Sequence, residues 1–221
     1  FEPVDALAKI KVTKDILLRD KLIKEYKKNR SEQQKELANI GFKVRSILKE
    51  DPNARYQDVL SSVFGDKMQE LRFSKAQRVE IRKGILTYME KCGTVKSYVA
   101  DYKGRESELV AKIFNIDPKL IKGEVTLTSD GPALILHCDK EVFALLHSRG
   151  KEGAELSAGF ATQRSEIPDL RGSIVVINNE KFKSPGYNRE GTIGHELRHI
   201  ENRLLFPPEE RLEQRHLASV K

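Results

Sequence analysis

The chain has no Trp among its 221 residues and only two Cys, Cys92 and Cys138. Two cysteines cannot build a disulfide scaffold, and their separation excludes a CxxC pair of the kind used for zinc or redox chemistry. Two buried free thiols are expected, with a single disulfide as the alternative. No run approaches the roughly 18 uninterrupted apolar residues of a membrane-spanning helix, and Phe1 opens no charged-then-apolar leader. A soluble protein without a span is expected. The absence of Met at position 1 suits a mature product or a piece of a longer chain, and leaves localisation unknown. Internal repeats and low-complexity tracts are also missing, which excludes solenoid architecture.

Charge is what the chain has in quantity. Asp, Glu, Lys and Arg make up 33% against 38% hydrophobic residues, and the formal net charge is +7. Residues 1–50 hold thirteen Lys/Arg against eight Asp/Glu. Such a surplus points to nucleic acid, an anionic membrane or an acidic partner, or to solvated helix faces. Because cations and acids interleave along the helical pattern, as in Lys24-Glu25 and Lys35-Glu36, solvated faces are the favoured account. Aromatics make up 7% and form no base-stacking platform, so nucleic acid is a possible partner but not the favoured one.

Apolar residues at three- and four-residue spacings, Leu7, Ile10, Val12, Ile16, Leu17, Leu22, Ile23 and Tyr26, predict an amphipathic helix from Val4 to about Arg30. Ser31 with Gln34 offers a capping box for a second helix to about Lys49. Further helices are predicted at 56–64, at 74–91 ended by Gly93, and at 106–114. After Gly123 the pattern changes to alternation. Residues 124–138 read as two strands around a turn at Ser129-Asp130-Gly131, followed by a helix at 140–147, a strand at 158–162 and a β-branched strand at 173–178. A polar loop spans 179–188. A helix is predicted from Arg189 to about Phe206, and Pro207-Pro208 ends it and starts another from Glu209 to about Val220. The expected class is α+β: a helical module over residues 1–95, for docking or regulation, then a domain over 96–221 with a small, mostly antiparallel sheet.

On the helix from Arg189 stands His195-Glu196-Leu197-Arg198-His199, an HExxH motif. Two His four residues apart share one helix face, so both imidazoles can reach one metal ion at about 2.0–2.1 Å. Glu196 lies about 100° round the helix, which sets its carboxylate beside the ion rather than on it. Zinc lowers the pKa of a water toward about 7 and polarises a carbonyl, while the Glu acts first as base and then as proton donor to a leaving amine. Ile193, Leu197, Ile200 and Leu204 give this helix an apolar stripe to bury.

These residues resemble the zincin metallopeptidases, over about residues 124–221. The resemblance implies a sheet packed on the HExxH helix, with His195 and His199 as Zn2+ ligands, Glu196 as general base and a peptide or protein as substrate. It also implies that 158–162 or 173–178 is the substrate-facing strand. Arg198 and Glu201 depart from the uncharged residues usual at those places. Asn202 and Leu205 stand where the longer metzincin motif needs Gly and His, so the pattern is gluzincin-like, with a ligand expected from a following helix. If the last two helices form a hairpin, Glu213 or His216 comes level with His199 as third ligand, His216 being preferred; a residue outside this chain is the other possibility. His137 is expected to be half-buried and paired to backbone, and His147 to sit at a helix end.

Three functions follow. Zinc-dependent peptide hydrolysis comes first. The second is a basic helical protein that binds a polyanion or protein partner, its HExxH inactive or incidental. The third is a metal-dependent hydrolase of a non-peptide amide.

Overall fold

A computed structural model describes residues 1–65, 72–148 and 157–206. Seven α-helices and a four-stranded sheet form the described part of this α+β chain. Its described residues fall into two compact units, one of Phe1–Thr87 with the described residues from Asn202 onward, the other Tyr88–Glu201. The expected division at residue 95 lies inside a helix, α4 (Lys75–Asp101). Among the described residues no helix is long and apolar enough to cross a membrane.

In the first unit, α1 (Pro3–Val12) and α2 (Ile16–Glu50) are joined through Thr13-Lys14-Asp15. The break falls here, not at Ser31 as expected. Asp15 caps α2 by accepting from the Leu18 N–H at 3.0 Å, and the Thr13 hydroxyl donates to the Lys9 carbonyl at 2.7 Å. Leu7, Ile10 and Tyr26 bury together in the hairpin so formed. Helix α2 runs straight through Ser31 because the buried row continues across it with polar members: Tyr26, Arg30, Gln33, Leu37, Ile40, Val44 and Leu48. Arg30 donates to Gln33 at 2.9 Å and lies over the Phe206 ring, while Gln33 donates to the Arg72 carbonyl at 2.6 Å. Buried polar groups so engaged prolong a helix that a count of apolar residues alone would end.

Helix α3 (Tyr56–Val63) is as expected. Helix α4 continues past Gly93 to Asp101, a second correction. Gly93 faces open space, where a helical glycine costs only about 1 kcal/mol, and Val95, Tyr98 and Val99 beyond it pack on the core of the second unit. The chain turns instead at Gly104, which has φ +80°.

The second unit holds α5 (Glu106–Phe114), β1 (Val125–Asp130), β2 (Ala133–Cys138), α6 (Lys140–Ser148), β3 (Gly159–Thr162) and β4 (Ile174–Asn178). The sheet order is β1-β2-β4-β3; the outer pairs are antiparallel and the central β2–β4 pair is parallel. The hairpin turns at Gly131-Pro132, one residue later than expected, with Gly131 at φ +53° and Asp130 opposite Ala133. Both central strands are buried along their length, which explains why β4 reads as a continuous β-branched run. On one face Leu134, Leu136, Cys138, Ile174 and Val176 pack with Leu109, Ile113, Val142 and Phe143. The alternate residues, Ile135, His137, Val175 and Ile177, occupy the opposite face. A 3-10 turn at Asn179–Lys183 leads towards α7 (Arg189–Leu205). The helix expected at 209–220 lies outside the described residues.

Candidate metal centre

Helix α7 divides its side chains between two environments. Leu197 and Ile200 are fully buried, and Leu205 nearly so. His195 and His199 are exposed, with Glu196 between them half-exposed. The apolar stripe thus anchors the helix and forces the i, i+4 histidines outward. Their rings meet at 4.8 Å between centroids and 89°, with the two Nε2 atoms 3.2 Å apart. Two nitrogens each about 2.05 Å from a tetrahedral ion stand about 3.3 Å apart. The pair therefore has the bite of a bidentate zinc site, on a face an ion can reach. In its absence one Nε2–H can donate to the other's lone pair.

Of the expected set, the structure brings the rings of His195 and His199 together. Glu213 and His216 lie outside the described residues. Among the described residues no group of three His, Cys, Asp or Glu side chains gathers as a metal shell.

Glu201, the charged residue two places beyond the second His, is buried and accepts a hydrogen bond from the Tyr88 hydroxyl at 3.2 Å. Tyr88, on α4, is itself fully buried. A charge inside an apolar stripe was the sequence signal; its partner, distant in the chain, left none. One turn further along α4, Cys92 is a buried free thiol whose pKa is pushed up to about 12, chiefly by burial. Cys138 is also buried and free, so the disulfide alternative does not form. Two residues of α7 preceding the motif reach the sheet. A Cβ on Gly159 of β3 would stand 3.1 Å from the Thr192 methyl, and Arg189 NH1 lies 3.2 Å from His137 Nδ1.

His137 is nearly buried, but its partners are side chains rather than backbone. Since a guanidinium only donates, Nδ1 accepts from Arg189, and the Nε2–H faces Thr128 Oγ1 at 2.7 Å. Arg189 also donates to Asn179 Oδ1 at 2.7 Å. Burial, then the Arg189 charge, hold His137 below the usual imidazole range. His147 ends α6 and packs against the Phe143 and Phe160 rings.

No family model matches the chain, and no curated protein or solved structure is found to match it.

Proposed function

We propose that this chain is a zinc-dependent peptidase whose ion is held by His195 and His199 and whose general base is Glu196. The observation that carries the proposal is the 3.2 Å separation of two exposed Nε2 atoms, matched to one tetrahedral ion. Bound zinc would supply Lewis acidity toward a carbonyl oxygen and bring the pKa of a water toward about 7.

Glu196, one residue after His195 and three before His199, would take a proton from the attacking water at a carboxylate oxygen and return it to the leaving amine. The buried Leu197 and Ile200 would hold the motif still while this happens. A peptide would pair with the outer edge of β3 by strand addition, favoured by the contact of Thr192 with Gly159 three residues ahead of His195. The same contact supports packing of α7 on the sheet. A third ligand would come from His216 or Glu213.

The test is cleavage of a mixed peptide library by the full chain supplied with zinc. Wild-type protein cleaves; Glu196→Gln binds zinc equally and is slower by about a hundred- to ten-thousandfold. Equal rates for both would contradict Glu196 as base, and no cleavage by zinc-loaded wild type would contradict the peptidase.

A further inference from the structure

The connection between α1 and α2 exposes an aliphatic cluster for which the hairpin itself has no use. Val12 ends α1 with 76% of its surface exposed; Ile16 and Leu17 open α2 at 75% and 83%, and Leu18 follows at 47%. The hairpin closes without them. Its core is Leu7, Ile10 and Tyr26, with Leu22 and Ile23 packed alongside, and its corner is fixed by the Asp15 cap and the Thr13 hydroxyl. Single exposed aliphatics are ordinary on a protein surface, but four within seven residues at the tip of a helical hairpin concentrate apolar surface at one place in the chain.

The charge around this tip is of one dominant sign. Residues 6–24 carry six cations, Lys9, Lys11, Lys14, Arg19, Lys21 and Lys24, against two carboxylates, Asp15 and Asp20. Lys9, Lys11, Lys14, Lys21 and Lys24 are exposed, and the Asp15 carboxylate is engaged by the Leu18 N–H. Long lysine stems flanking an aliphatic tip can lie along an interface and keep their ammonium groups at its polar level.

We propose that the α1–α2 tip is a membrane-surface anchor that inserts Val12, Ile16 and Leu17 into the interfacial region of an anionic bilayer while the surrounding lysines meet lipid headgroups. An acidic protein groove would satisfy the lysines equally, but the aliphatics stand exposed at a helix–helix connection, three of them at 75% or more. Insertion into a deformable lipid layer needs no complementary cavity. The two components act together, because a small apolar area or a few charges alone give only weak, reversible attachment.

The lack of any Trp makes the test direct, since Leu17→Trp creates a single indole emitter at the tip of the full chain. Its emission should shift to the blue on phosphatidylserine-containing vesicles and stay unmoved on pure phosphatidylcholine. In sedimentation with the same vesicles, Ile16→Ser with Leu17→Ser should weaken binding about a hundredfold, and each of Lys11→Gln and Lys14→Gln about fivefold. These positions are exposed, so circular dichroism and melting should match wild type. An unmoved emission, an equal shift on neutral vesicles, or vesicle binding indifferent to the double substitution would overturn the proposal. A concentration-dependent dimer abolished by that substitution would also overturn it, by assigning the tip to self-association.

Discussion

His137 and the pair His195–His199 place the same imidazole chemistry in opposite surroundings. Both nitrogens of His137 face protein partners, Arg189 on one side and Thr128 on the other, and burial, then the Arg189 charge, lowers its pKa. In the pair, two Nε2 atoms face each other across 3.2 Å on an exposed helix face. The His137 lone pair accepts from Arg189 in a nearly buried setting, whereas the two rings of the pair meet each other on a face open to solvent, where an ion could replace the bond between them. Surroundings, more than residue type, separate a structural histidine from a candidate ligand. Helix α7 touches both kinds, starting at Arg189 and carrying the pair two turns on.

The sharpest way to break this comparison is to exchange the roles. His195→Ala or His199→Ala should weaken zinc binding by about a hundredfold or more, since each removes half of the bidentate pair. His137→Gln should leave zinc affinity unchanged. Competition with a chromophoric chelator measures both, and equal losses at all three positions would erase the distinction.

Next in size are substitutions at the inner supports of α7. Gly84 lies so close to the Leu204 carbonyl that a Cβ would enter its van der Waals envelope. Gly84→Ala should cost about 2–3 kcal/mol in denaturant unfolding. Tyr88→Phe removes a donor from buried Glu201 and should cost about 1–2 kcal/mol. Neither residue touches the outward face, so the zinc affinity of the folded chains should stay at the wild-type value. A loss of affinity matching the loss of stability would show that the two faces of α7 are not independent.

The smallest effect concerns pH. Because the folded chain holds His137 below its ordinary pKa, the unfolded chain takes up a proton there as pH falls through about 6.5 while the folded chain does not. This site therefore costs stability progressively from about pH 6.5 down towards the folded pKa, and none above. His137→Gln should flatten that part of the stability curve, read from urea midpoints at about pH 7.5 and about pH 5.5. An unchanged slope would mean that the ring is not held neutral by its surroundings.

The motif helix, the four strands and α3, α5 and α6 were legible because their signals are local: periodicity, β-branched runs, and turn residues such as Gly131. Ser31 and Gly93 misled for a common reason. Capping chemistry and glycine punctuate helices only when nothing packed on both sides holds them together, and here Arg30 and Gln33, or Val95 and Tyr98, continue the packing. The meeting of the His195 and His199 rings could be read from spacing alone. The Tyr88–Glu201 contact could not, since 113 residues separate its partners. Likewise the Thr128–His137 bond depends on strand register, which sets Thr126 rather than Thr128 opposite His137.

The central claim is that His195 and His199 bind one ion together. X-ray absorption at the zinc K edge of the zinc-loaded full chain counts the imidazoles directly. At least two nitrogen-ligated rings at about 2.0–2.1 Å in wild type, with one fewer in His199→Ala, is the predicted result. A zinc environment free of imidazole, or one identical in the two proteins, would contradict it.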